Sequence, residues 1–148
     1  MSPRSTTIAA TPAEVWATLA AFDMISEWAD GVSHSAYTTV ATEGVGAARR
    51  VQVSARMALI ETVTIWEPDQ TLAYTLEGLP PLVESVTNRW DLEPAAGGTL
   101  VTLTTIIDPG IGLAGRIGRR GLGIALGRAS KMLVGGLASR PWTGGVTS

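Results

Sequence analysis

Residues 57–107 read MALIETVTIWEPDQTLAYTLEGLPPLVESVTNRWDLEPAAGGTLVTLTTII, and they carry the clearest structural signal in the chain. Alternating apolar and polar residues are interrupted by turn signals at Pro68-Asp69, at Gly78 to Pro81 and at Pro94 to Gly98. Short turns spaced about ten residues apart are typical of an antiparallel meander. With the preceding segments included, the sequence predicts six consecutive strands at about 33–41, 46–55, 57–67, 70–77, 82–93 and 99–107.

The N-terminal residues predict a strand at 5–10 followed by two short helices. Thr11 is suited to cap the first helix, Pro12 to its first position, and Glu14 to the return hydrogen bond of a capping box. This helix is expected to run to about Ala21. A second short helix, capped by Asp23, is expected to follow over 23–28.

The C-terminal segment 111–139 repeats apolar residues at helical spacing, which predicts one long helix. Many glycines interrupt this segment, and each costs about 1 kcal/mol relative to alanine in a helix. Among them, Gly112, Gly115, Gly118 and Gly121 form a narrow strip without side chains, suited to close approach of another element or to ligand space. The predicted fold class is α+β. A seven-stranded curved antiparallel sheet wraps the long C-terminal helix, residues 1–140 form a single domain, and residues 141–148 form a disordered tail.

Strand alternation assigns side chains to the inward face of this sheet. Polar residues fall among the apolar ones there, notably Glu61, Glu84 and Asn88, with Thr105 on the same face. Arg49 is expected at the outer end of its strand. The apolar and aromatic residues assigned inward include Val51, Val53, Ala55, Met57, Leu59, Val63, Ile65, Leu72, Tyr74, Leu76, Val86, Trp90, Leu92, Val101, Leu103 and Ile107.

Glu61 stands out because an inward carboxylate is costly unless it is paired or hydrogen-bonded. The residues leave four interpretations open: pairing with an arginine, contact with a polar part of a ligand, general-base catalysis, or a bulge that turns the side chain outward. Trp16 and Trp66 are interpreted as packing residues, and His34 as a surface residue.

Composition excludes several kinds of chemistry. The chain has 148 residues, 45% of them hydrophobic and 16% charged, which indicates one globular domain. It has no cysteine and one histidine, so disulfides, thiol nucleophiles and sites that need two histidines are excluded. No cofactor or metal is expected, because metal ligands are not clustered at suitable spacing. With neither a signal peptide nor a transmembrane stretch in the sequence, we expect a cytoplasmic protein.

Charge is distributed unevenly along the chain. Residues 1–108 carry five basic and thirteen acidic side chains, whereas residues 109–148 carry six basic side chains and no acidic one. A solvated helix face explains this pattern, and so does weak contact of 111–140 with an anionic membrane or an acidic protein. Nucleic acid is not expected as a partner, because aromatic residues are not interleaved with the basic ones.

Several strings in the chain resemble the SRPBCC superfamily, which includes START-like lipid-transfer domains, birch-pollen-allergen-like proteins and the polyketide cyclase/dehydrase family. These strings are TPAEVW (11–16), FDMISEW (22–28), GVGAAR (44–49), WEP (66–68), WDLEP (90–94) and GGTLVT (97–102). They lie within residues 5–108, about 70% of the chain, and their order gives the resemblance its weight. The resemblance implies a helix-grip fold with a cavity for an apolar ligand, such as a lipid, hormone or polyketide.

Three functions follow as hypotheses. The first is binding of a small apolar molecule between the sheet and the C-terminal helix, and the second is a cyclase/dehydrase-type enzyme with Glu61 as its catalytic candidate. The third is a surface interaction module that uses the basic C-terminal helix. The predicted ligand-binding residues are Trp28, Leu59, Glu61, Tyr74, Glu84, Asn88, Trp90 and Leu103.

Overall fold

The computed structural model describes residues 3–29, 31–55, 57–78, 83–109, 128–140 and 142, without the side chains of 83–85, 108 and 109. The elements are β1 (Arg4–Ile8), α1 (Pro12–Ala20), a 3₁₀ helix (Phe22–Glu27), β2 (His34–Tyr37), β3 (Ala48–Ser54), β4 (Met57–Glu67), β5 (Thr71–Glu77), β6 (Val83–Ala95), β7 (Gly98–Pro109) and α2 (128–139). Residues 111–127 of the predicted long helix, and the predicted tail apart from Trp142, lie outside the described residues.

The seven strands form one antiparallel sheet in the order β1-β7-β6-β5-β4-β3-β2. Strands β2 to β7 pair with their neighbours in sequence, and β1 pairs with β7 at the far edge. The predicted meander, the two short helices after the first strand and the C-terminal helix are therefore confirmed. β2 is shorter than predicted, with His34–Tyr37 in place of 33–41, and His34 is exposed as expected.

The start of α1 follows the predicted capping box. Thr11 Oγ1 accepts a hydrogen bond from the Glu14 amide at 3.2 Å, and the Thr11 amide donates to Glu14 Oε2 at 3.3 Å. The predicted cap at Asp23 is wrong. The 3₁₀ helix begins one residue earlier, at Phe22, its cap position is Ala21, and no side chain caps it.

A bulge in β4 corrects part of the predicted inward face. Val63 pairs with Tyr74 but Ile65 pairs with Ala73, so one extra residue shifts the alternation. Trp66 therefore packs against the core in place of Ile65, and its ring meets that of Trp16 edge to face at 5.1 Å. At the other end of β4 and β3, Met57 and Ala55 are exposed where the alternation had placed them inside, since the strands end there.

Helix α2 packs over one face of the sheet through Val134 and Leu137, which belong to the hydrophobic core. Gly136 lets the helix approach the end of the 3₁₀ helix, because a Cβ atom at this position would collide with the carbonyl oxygen of Trp28. Beyond α2, Trp142 packs against the core, and its Nε1 donates to the carbonyl oxygen of Leu137 at 3.1 Å. α2 is thereby held against the sheet at its C-terminal end.

Candidate functional site

A cavity of about 180 Å³ lies between the sheet and α2. Most of its wall is apolar, and strands β3 to β7, the segment after the 3₁₀ helix and the first turns of α2 all contribute to it. The described lining residues are Ile25, Ala29, Gly31, Val32, Val51, Val53, Leu59, Glu61, Tyr74, Leu76, Asn88, Thr105, Ala129, Ser130, Met132 and Leu133. This space is partly open to the surroundings, and it is larger than the voids that ordinary packing leaves in protein interiors.

Polar side chains of β6, β7 and α2 form a chain of hydrogen bonds in the cavity wall. Thr105 Oγ1 donates to Asn88 Oδ1 at 2.8 Å and lies 2.8 Å from Ser130 Oγ. Because Thr105 has given its one hydroxyl hydrogen to Asn88, Ser130 is the donor in the second bond. Tyr74, also in the wall, accepts a hydrogen bond at 3.2 Å from Nε1 of Trp90 in the core. These bonds connect the sheet with α2 and hold the polar atoms in defined positions.

Arg49 and Glu61 form a buried ion pair beside these hydrogen bonds. They are direct cross-strand partners on β3 and β4, with side chains that are 2% and 6% exposed. Arg49 Nε donates to Glu61 Oε1 at 2.7 Å, and Arg49 Nη2 lies 2.6 Å from the same oxygen. Arg49 Nη1 donates to the Phe22 carbonyl oxygen at 2.7 Å. The guanidinium also lies over the rings of Phe22 and Tyr74, with its carbon 3.6 and 4.7 Å from their centroids.

The surroundings of Tyr74 favour its neutral phenol. Burial raises the pKa of Tyr74 above its usual value, and the nearby Glu61 carboxylate raises it further. Arg49 and hydrogen bonds with Trp90 and Asn88 oppose this rise in pKa without reversing it. The Tyr74 hydroxyl therefore keeps its proton, which is available for a hydrogen bond into the cavity.

The structure brings four of the eight predicted ligand-binding residues together in the cavity wall: Leu59, Glu61, Tyr74 and Asn88. The other described ones are buried in the core and are not among the lining residues: Trp28, Trp90 and Leu103. The rings of Trp28 and Trp90 pack edge to face at 5.9 Å. The side chain of Glu84 lies outside the described residues. Contact with a ligand stays a prediction for all eight.

Sequence reasoning missed three polar residues of this site. Arg49 lies near the end of its strand, as expected, but it is 2% exposed and bonded to Glu61, which the sequence analysis did not foresee. Its odd position in β3, on the same face as Val51, was the signal that could have revealed it. Thr105 was assigned to the inward face without a polar role, and Ser130 depends on how α2 docks, which no local pattern shows.

The chain matches the family described as "Polyketide cyclase / dehydrase and lipid transport" over residues 3–140. It therefore belongs to this family, and the resemblance to SRPBCC and START-like proteins is confirmed. A comparison with curated proteins found no match. No helix among the described residues is long and apolar enough to cross a membrane.

Solved structures share this fold at low sequence identity. The di-domain ARO/CYC StfQ from the steffimycin biosynthetic pathway superposes with a TM-score of 0.74 at 13% sequence identity. The alignment covers 93% of this chain and 49% of StfQ, so this chain spans about half the length of that protein. Zhui aromatase/cyclase from Streptomyces sp. R1128 has a TM-score of 0.70 and 16% identity, with 93% and 90% covered. Ara h 8.0201 has a TM-score of 0.67 and 17% identity, with 94% and 97% covered.

Proposed function

We propose that this protein binds one small, mainly apolar molecule in the cavity between the sheet and α2. The observation that carries the proposal is the cavity of about 180 Å³ with an apolar wall and a few fixed polar atoms. Small-molecule sites in proteins have this character, since apolar walls supply affinity and a few polar groups set the orientation. An apolar cavity of about 150 Å³ is large enough to hold benzene, so the volume suits a compact molecule with one or two rings.

The hydrogen bonds among the polar side chains of the cavity wall also support ligand binding. Asn88, Thr105 and Ser130 are buried, and their side chains are joined by hydrogen bonds. Buried polar groups are kept in a core only when they are paired. A preformed hydrogen-bonded wall can therefore orient a ligand at little reorganisation cost.

Native mass spectrometry of the freshly purified protein, followed by solvent extraction, tests this proposal. We expect one small molecule per chain. Val53→Phe places a ring in the cavity wall and should prevent its retention. Thr64→Phe adds the same bulk at an exposed position of β4 and is the matched control. Equal retention by both variants would place the bound molecule elsewhere and refute the proposal.

A second candidate function is an enzyme of the cyclase/dehydrase type, favoured by the meeting of Glu61, Tyr74 and Asn88 in one cavity. In such a reaction Glu61 would accept the proton of a carbon between two carbonyl groups. The neutral Tyr74 hydroxyl would then donate to the enolate oxygen that forms.

Turnover of a short poly-β-ketone thioester, followed by liquid chromatography, tests this second candidate. Glu61→Gln should abolish turnover. Because this substitution leaves Arg49 without its charged partner, far-ultraviolet circular dichroism and ligand titration of the variant are compared with the wild type, and the folded, ligand-binding fraction is the one assayed. Glu67→Gln, at an exposed position of the same strand, should leave turnover unchanged. Equal turnover by the wild type and Glu61→Gln would rule the mechanism out.

The third hypothesis, a surface interaction module, is supported by fewer observations. Arg128 and Lys131 are exposed on α2, while the rest of the basic segment up to residue 127 lies outside the described residues. Binding to anionic vesicles at low salt that disappears at high salt would support it.

A further inference from the structure

The two oxygens of the Glu61 carboxylate have different surroundings. Both contacts from the Arg49 guanidinium, at 2.7 and 2.6 Å, reach Oε1. Within the part of the chain that the structure describes, no hydrogen bond reaches Oε2, although Glu61 lines the cavity. An ionised carboxylate offers about four acceptor sites, so Oε2 keeps the capacity to accept hydrogen bonds from a ligand.

Arg49 is oriented away from the ligand space. Its guanidinium is bonded to Glu61 and to the Phe22 carbonyl oxygen, and Arg49 is not among the described lining residues. Among the described residues, the cavity wall contains no basic side chain at all. The charge that a ligand meets there is therefore a carboxylate, held in place by a cation behind it.

Tyr74 supplies the complementary group. Its oxygen accepts from Trp90 Nε1. The hydrogen bond with Asn88 lowers the pKa of Tyr74, so Asn88 is the donor in it, and Asn88 Oδ1 accepts from Thr105. No described residue accepts the hydroxyl hydrogen of Tyr74. Because Glu61 pairs with Leu76 and Val63 pairs with Tyr74, Glu61 and Tyr74 are diagonal neighbours on β4 and β5. The cavity thus presents one acceptor and one donor on adjacent strands.

We propose that the cavity selects an uncharged apolar molecule that carries a hydroxyl group, an alcohol or a phenol, over molecules that lack a donor. The ligand hydroxyl donates to Glu61 Oε2 and accepts from the Tyr74 hydroxyl, which uses both capacities of that group. An ether or ketone can use only the Tyr74 donor, and a carboxylate brings a second negative charge next to Glu61. This inference deepens the proposed function and rests on it.

Isothermal titration with three one-ring probes tests the selectivity. 4-Ethylphenol and 4-methylanisole are isomers of nearly equal volume, but only the phenol has a donor, and 4-methylbenzoate carries the negative charge. We expect the phenol to bind about tenfold tighter than the anisole or more, because hydrogen bonds to charged groups are among the stronger ones. The benzoate is expected to bind most weakly of the three.

A double variant tests whether the Arg49–Glu61 pair causes the preference for the phenol over the anisole. The double substitution Arg49→Met with Glu61→Leu removes both charges without leaving either one buried alone. It should still bind 4-methylanisole but bind the phenol no more than about threefold tighter. If the double variant does not fold, Tyr74→Phe serves instead. Because both probes lose the Tyr74 donor, both should bind several-fold more weakly, while the phenol keeps its preference through Glu61 Oε2; loss of that preference in Tyr74→Phe would contradict the role given to Glu61.

The outcomes separate the two proposals. Equal binding of the phenol and the anisole to the wild type, or tighter binding of the benzoate, would overturn the hydroxyl selectivity while leaving an apolar binding site in place. Failure of all three probes to bind would overturn the proposed function together with the inference. A preference for the phenol that persists in the double variant would also contradict the role given to Glu61.

Discussion

Removing one member of the Arg49–Glu61 pair should destabilise the protein far more than removing both. The side chains are 2% and 6% exposed, so either single substitution leaves a buried charge without its partner. Breaking a buried pair in this way costs about 3–5 kcal/mol. Native domains of this size have about 5–15 kcal/mol of stability, so Arg49→Met or Glu61→Leu alone should remove a large share of it.

The double variant should recover most of that loss. Its remaining cost is the Phe22 carbonyl oxygen, which loses the hydrogen bond from Arg49 Nη1, worth about 1–3 kcal/mol if no other donor replaces it. Urea unfolding followed by far-ultraviolet circular dichroism gives the free energy of unfolding for the wild type, both single variants and the double variant. The expected coupling free energy is several kcal/mol in favour of the pair.

The second ion pair of the sheet provides the matched control. Arg89 and Asp91 lie 3.1 Å apart, but their side chains are 41% and 34% exposed. Solvent screens such pairs, so the same cycle there should give a coupling of about 1 kcal/mol or less. If the Arg49 and Glu61 substitutions were additive, or no more coupled than those at Arg89 and Asp91, the description of a buried and mutually dependent pair would be refuted.

Two further predictions concern α2 and Tyr74. Gly136→Ala should destabilise the protein by about 1–3 kcal/mol, because the new Cβ atom collides with the Trp28 carbonyl oxygen. Gly135→Ala meets open space and should stabilise the protein by about 0.5–1 kcal/mol. Thermal unfolding of the two variants and the wild type measures both effects. The raised pKa of Tyr74 contributes stability that is present below its unfolded value near 10.0 and is lost as pH rises through the folded pKa. The free energy of unfolding should therefore fall less steeply above pH 10 in Tyr74→Phe than in the wild type. Tyr37→Phe serves for comparison, because burial also raises the pKa of Tyr37.

The sheet was predictable from sequence because strand alternation is a geometric necessity. Side chains two residues apart share a face, so Leu59 and Glu61 had to face the same way. The same rule placed Tyr74 and Asn88 inside from separate strands, and turn signals gave the strand order of a meander. Local periodicity alone was thus enough to find four residues of the cavity wall.

The partners within the site were not predictable in this way. The contact between Arg49 and Glu61 depends on the register of β3 against β4, which no single strand encodes. Because of the bulge after Val63, Trp66 and not Ile65 lies on the core side of β4. The residues at the bulge carry no turn signal from which the bulge could have been predicted. The bond between Thr105 and Ser130 depends on the docking of α2, a tertiary event.

A crystal structure determined under xenon pressure would show whether the space between the sheet and α2 is a true binding cavity. Xenon enters apolar cavities without needing a specific hydrogen bond. We expect a xenon peak among Leu59, Leu76, Val51 and Leu133, close to the Tyr74 hydroxyl. A space filled by the protein's own side chains, with no xenon between the sheet and α2, would contradict this expectation.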